Sequence, residues 1–164
     1  MAPAARISGP RRVRHVLIVE DESPIRVMLT DLLSDAGYAV LQAADGFEAI
    51  KHLRETRPDL IVLDLMMPGL SGWQFLERSH DHLEQANIPV MILSAIKGGS
   101  DYPAALGVAA WLTKPVDVDQ FLASVEQMAG PMRPPRPTSL RGPQRILVIE
   151  DERPIRDLIV EVRS

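Results

Sequence analysis

Cysteine is absent from the 164 residues, which excludes disulfides, thiolate metal sites and cysteine nucleophiles and agrees with a reducing cytoplasm. Aromatic residues are scarce, with three Phe, two Trp and two Tyr. No apolar run approaches the roughly 18 residues that span a bilayer, and the start of the chain has arginine and proline but no apolar signal-peptide core. The sequence therefore predicts no membrane association and no secretion. Basic residues are sparse in the body: His15 to Gly130 holds 17 Asp and Glu against 7 Lys and Arg, a poor surface for nucleic acid. The segments before and after it are basic and read as solubilising extensions, with contact to phosphate or acidic partners as the alternative. At this length one full domain fits, with part of another.

From His15 onward, short β-branched runs alternate with helical patterns, the signature of βα units around a parallel sheet. Strands are expected at His15–Val19, Ala39–Ala43, Leu60–Asp64, Val90–Ser94 and Ala109–Thr113. The third and fourth are almost wholly apolar, as central strands buried on both faces must be. Pro24 suits an early helix position, and Ile25, Met28, Leu29, Leu32, Leu33 and Ala36 follow at helical spacing to Gly37, giving a face for the sheet. Further helices are expected at Phe47–Glu55, Ser71–Ser79, Gly99–Leu106 and Val118–Met128, the last turning Phe121, Leu122 and Val125 inward. The fold class is α/β, a doubly wound (βα)5 domain.

Residues 13–130 form this domain, and 131–144 read as a linker rich in Pro and Arg. Residues 145–164 repeat the first strand and the start of the first helix. Arg145–Arg156 matches His15–Arg26 at 7 of 12 positions with Glu-Asp-Glu in register, so the segment reads as the start of a second copy of the domain, expected to be a remnant or the beginning of a truncated tandem protein. The partial copy has no acceptor Asp, Ser or Lys of its own.

In open parallel sheets ligands bind beyond the carboxyl ends of the strands. Those ends carry Glu20, Asp21, Asp64, Ser94 and Lys114. Three crowded carboxylates repel unless a cation compensates, and hard oxygen ligands favour magnesium, with manganese as a substitute. A carboxylate beside such a metal and a lysine can attack a phosphoryl group, which makes Asp64 the candidate nucleophile. Each residue also has a plainer reading: Asp64 as a turn cap, Glu20 and Asp21 as acids near a helix start, Ser94 as a strand-end hydroxyl, Lys114 as a solvated charge.

Their order along the chain, with Val16–Glu22, Asp59–Gly72, Pro89–Ala95 and Trp111–Pro115, resembles the receiver domain of two-component response regulators, including the stand-alone chemotaxis regulator. The resemblance implies a flavodoxin-like sheet of order 2-1-3-4-5. It further implies that Asp64 is the phosphoacceptor, Asp21 a direct metal ligand, Glu20 a ligand through water and the Met66 carbonyl a third protein ligand. Ser94 would bond the phosphoryl oxygen and Lys114 pair with it, through a cis bond to Pro115. Trp111 takes the position of the aromatic switch residue on strand five, the alternative being a core or partner-facing indole.

The function expected is phosphoacceptance from a histidine kinase or histidine phosphotransfer protein, switching the face of the fourth helix, strand five and the fifth helix toward an unidentified partner or into a homodimer. Two other readings stand beside it: a binding module that works without phosphorylation, and a magnesium phosphohydrolase. The second is weakened by Met66, which sits where haloacid dehalogenase-type hydrolases carry their general acid.

Overall fold

The computed structural model describes residues 12–97 and 107–131. Five parallel strands, β1 (His15–Val19), β2 (Ala39–Ala43), β3 (Leu60–Leu63), β4 (Val90–Ser94) and β5 (Val108–Thr113), form one sheet in the order β2-β1-β3-β4-β5. β3 lies at the centre, which is why Leu60, Ile61, Val62 and Leu63 are all buried and why its sequence shows no polar alternation. Four helices are described: α1 (Ser23–Asp35), α2 (Gly46–Glu55), α3 (Gly72–Gln85) and α4 (Val118–Ala129). α4 is the fifth helix of the sequence reading; the expected Gly99–Leu106 helix, nearly all of the expected linker and the partial repeat lie outside the described residues.

Strand alternation sends side chains to two apolar layers. Leu17, Val19, Ile61, Leu63 and Ile92 pack with Leu53 of α2 and Phe75 and Leu76 of α3, while Val16, Ile18, Val62, Met91 and Leu93 pack with Leu29 and Leu33 of α1 and Phe121 and Val125 of α4. The helices thus cover both faces and leave the strand ends open, the arrangement that creates a crevice at the carboxyl edge.

Several boundaries differ from the sequence expectation, each for a local reason. β3 stops at Leu63, and Asp64 keeps a ladder-like bond to the Val19 carbonyl at 2.9 Å while its carboxylate turns back to the chain. β5 begins one residue earlier than expected because the register with β4 shifts between Val90 and Met91, inserting one residue on the edge strand. α3 runs to Gln85 instead of Ser79: Ser79 and Leu83 continue the buried stripe begun by Phe75, and between them the polar His80, Asp81 and His82 that broke the pattern are half-buried or exposed. On α1, Met28 is 42% exposed and is not part of the sheet-facing stripe.

The helix starts are set by side chains. Asp45 accepts the Glu48 N–H at the start of α2, Ser71 and Gln74 form a reciprocal capping box on α3, and Asp117 caps α4; each supplies an acceptor to a donor that the helix cannot satisfy. Arg12 and Arg14, read as part of a basic extension, instead reach Asp59 at 2.9 and 3.7 Å, whose other oxygen accepts the His15 N–H. None of the described helices is long and apolar enough to cross a membrane.

Candidate functional site

At the carboxyl edge, β1 delivers Glu20 and Asp21, β3 delivers Asp64, β4 ends on Ser94 and β5 leads into Lys114. Glu20, Asp64 and Ser94 are buried, at 1%, 4% and 0% exposure, unusual for carboxylates without a purpose. One oxygen from each of Glu20, Asp21 and Asp64 falls within 4.8 Å of the others. The Lys114 ammonium enters from the other side, 2.8 Å from Glu20 Oε2 and 3.6 Å from Asp64 Oδ2.

The rest of the neighbourhood holds these groups in place. Asp64 Oδ1 accepts the Met66 N–H at 3.1 Å, so the turn-cap reading is also true of it. Glu20 Oε1 accepts the Glu22 N–H at 3.2 Å. Arg26 Nη1 donates to the Glu20 carbonyl at 2.7 Å, pinning the backbone between the two acids. Ser94 Oγ accepts the Ile96 N–H at 3.3 Å, and the Ser94 carbonyl accepts the Lys114 N–H at 2.9 Å. The Lys114–Pro115 bond is cis. Met66 turns its side chain to solvent at 62% exposure.

Three carboxylates against one ammonium leave an excess of negative charge in a poorly hydrated crevice. Burial pushes Glu20 up from its ordinary 4.5 to about 7, against the lowering pull of the Lys114 hydrogen bond. Burial also raises Asp64, only partly offset by the Met66 N–H and the Lys114 charge. For Lys114 burial acts downward, but the bond to Glu20 and the charges of Glu20 and Asp64 outweigh it and hold the ammonium above its usual range. Among the described residues, Asp21 Oδ1 is the one buried side-chain oxygen or nitrogen without a hydrogen-bond partner. An orphaned carboxylate oxygen facing two other carboxylates is the donor set of a hard divalent cation.

Trp111 is partly buried against the α2/α3 layer. Its indole N–H donates to the Ile96 carbonyl at 3.1 Å, and its ring centre lies 6.2 Å from that of Trp73, tilted by 48°.

Two contributors escaped the sequence reading. Gly72 opens α3 directly against the segment that carries Asp64: a Cβ there would lie 2.4 Å from the Asp64 carbonyl oxygen and 2.7 Å from Leu65 Cα. Its signal was a glycine immediately after a helix-capping serine. Arg26 was visible as one of the seven residues repeated in the tail, but its bond to the Glu20 carbonyl depends on the first turn of α1.

The family model for the response regulator receiver domain matches residues 16–126. The chain belongs to the response regulator receiver family. It is 32% identical over 119 residues to the polar-differentiation response regulator DivK of Brucella anthropi, covering 71% of this chain and 97% of that protein. It is 36% identical over 115 residues to the phosphate regulon transcriptional regulatory protein PhoB of Escherichia coli, covering 69% of this chain but only 50% of that protein. Among solved structures, the chemotaxis protein CheY4 of Vibrio cholerae superposes with a TM-score of 0.66 at 30% identity, over 71% of this chain and 99% of that one. Receiver domains are signalling phosphoacceptors of two-component systems that bind Mg2+ in an acidic pocket and interact with histidine kinases or phosphotransfer proteins. In this receiver the acidic group is Glu20, Asp21 and Asp64.

Proposed function

We propose that this receiver, working in the cytoplasm, takes a phosphoryl group on Asp64 from the phosphohistidine of a partner kinase or phosphotransfer protein. The observation that carries the reading is the orphaned Asp21 oxygen beside a buried Asp64 whose other flank is an ammonium 3.6 Å away. Glu20, Asp21, Asp64 and the Met66 carbonyl would hold Mg2+ or Mn2+, which neutralises charge on the phosphoryl oxygens.

The chain's own groups supply the rest. An Asp64 carboxylate oxygen forms the bond to phosphorus as the phosphorus–nitrogen bond of the donor breaks, and the electron pair leaves with the imidazole, which takes up a proton. Lys114 exchanges its Glu20 contact for a phosphoryl oxygen, where its charge stabilises the transfer. Ser94 Oγ accepts from Ile96 and keeps its own O–H free to donate to the phosphoryl group. Because the Trp111 indole is bonded to the Ile96 carbonyl, movement of the 94–96 segment toward the phosphoryl group pulls on Trp111, linking the charge change to the β5 surface. Two residues beyond Asp64 the chain has Met66, which has no proton to give a leaving group, so hydrolysis is slow self-dephosphorylation at most.

Intact-protein mass after incubation with acetyl phosphate and Mg2+ tests this. One added phosphoryl group, absent without metal and absent from Asp64→Asn, is expected. No addition, under conditions that modify another receiver, contradicts the proposal and leaves a module that binds without phosphorylation.

A further inference from the structure

The seven basic residues between His15 and Gly130 are used unevenly. Lys114 is bound in the acidic site, Arg26 holds backbone carbonyls, and Arg57 bonds the Ala86 carbonyl. Lys51 and Lys97 are exposed singly. Arg54 and Arg78, both exposed, line one cleft together between α2 and α3, floored by Ile50 and Leu53 and flanked by His82. Among the described residues, no carboxylate lies within ion-pair distance of either guanidinium. The acids nearest in sequence, Glu55, Glu77 and Asp81, are exposed and none pairs with either arginine; a turn further along, Glu48 binds back to the Ala44 N–H and Glu84 faces His80.

The cleft holds about 210 Å³, below the roughly 300–1,000 Å³ of sites for drug-sized ligands and suited to one bulky side chain. Beside it Phe47 stands 59% exposed with the Arg78 guanidinium 5.9 Å over its ring. Exposed aromatic and arginine groups around an apolar depression are the composition of a protein-binding hot spot, not of a solvated face. Charge decides the occupant. Two unpaired guanidiniums on a body with a large acidic excess attract a short acidic segment locally, whereas the long phosphate backbone of a nucleic acid meets the surrounding carboxylates.

We propose that the α2/α3 cleft docks an acidic segment of a partner protein, with one bulky apolar side chain seated on Ile50 and Leu53 and flanking carboxylates on Arg54 and Arg78. This surface lies away from the carboxyl edge and needs no phosphoryl group, so it stands or falls independently of Asp64 chemistry. It gives the receiver a constitutive attachment point.

The test is selection of a phage-displayed random dodecapeptide library on the full chain, followed by anisotropy titration of the selected peptides. Selected sequences should be rich in Asp and Glu around one Phe, Leu or Trp, and should bind more weakly at high salt. The pair Arg54→Glu and Arg78→Glu should weaken them about tenfold or more, while Lys97→Glu, on the segment after β4, should change binding by less than about twofold. Circular dichroism of both variants checks that these exposed reversals leave the fold intact. Selection of peptides without acidic enrichment, or equal binding to the Arg54/Arg78 variant, overturns the proposal. So does a change in oligomeric state on reversal of Arg54 and Arg78, which would make a second copy of the chain the occupant.

Discussion

Gly72→Ala should damage the receiver far more than its size suggests. The added methyl would lie 2.4 Å from the Asp64 carbonyl oxygen, 2.7 Å from Leu65 Cα and 3.1 Å from the Asp64 carbonyl carbon. Reaching ordinary contact requires the end of β3 and the start of α3 to separate by about 1 Å, and all three obstructing atoms are backbone, so no rotamer change relieves the overlap. Overpacking of this kind costs about 3 kcal/mol, from which roughly 0.5–1 kcal/mol is recovered because alanine restricts the unfolded chain more than glycine does. The net loss of about 2 kcal/mol corresponds to a midpoint lowered by roughly 5–10 °C for a domain of this size. Gly46→Ala is the matched control: its methyl would meet Leu70 Cδ2 at 2.7 Å, Cγ at 2.9 Å and Cβ at 3.1 Å, side-chain atoms that shift more easily than backbone, so its loss should be smaller. Urea denaturation followed by far-ultraviolet circular dichroism measures both. Because the strain falls on the segment that carries Asp64, Gly72→Ala should also slow the proposed phosphoryl uptake when folded. A Gly72→Ala protein as stable as the parent, or more stable than Gly46→Ala, would refute the reasoning.

Metal-free protein should lose stability as pH rises from about 4.5 to 7. Folded Glu20, raised to about 7 by burial, keeps a proton that the unfolded chain has released, so the folded state loses relative stability as pH climbs through this window. Denaturation in EDTA should show this fall, Glu20→Gln should reduce it while the raised Asp64 keeps part of it, and excess Mg2+ should offset it above pH 7; a rise over that window contradicts the assignment. Tyr38→Phe removes the hydrogen bond from a buried side chain to the Gly130 carbonyl at 3.0 Å, which fastens the start of β2 to the end of α4, and should cost about 1 kcal/mol by urea denaturation. Ser71→Ala deletes the acceptor of the α3 capping box and should also cost about 1 kcal/mol, with faster amide exchange in the first turn of α3.

The fold was legible where burial dictates composition. Central β3 and β4 are continuous apolar runs because helices cover both faces, and the caps on α2, α3 and α4 involve residues near in sequence. The helix pattern misjudged Met28, since spacing alone gives a stripe wider than the sheet contact, and it shortened α3, whose outer face is unusually polar. At the carboxyl edge, the sequence order already pointed to Glu20, Asp21, Asp64, Ser94 and Lys114 as neighbours, because the ends of parallel strands meet there. What distance in sequence concealed was how they are held: Lys114 on Glu20 across the sheet, and Trp111 between Ile96 and Trp73. Each depends on packing between elements far apart in the chain.

The most direct test of the central claim is chemical mapping of the modified residue. Phosphorylated protein is reduced with borohydride, which converts an aspartyl phosphate to homoserine, and its peptides are sequenced by mass spectrometry. The account predicts homoserine at position 64 alone, dependent on Mg2+ and strongly reduced in Lys114→Ala. Homoserine at Asp21 or at another carboxylate, or phosphorylated protein with no homoserine at all, would contradict it.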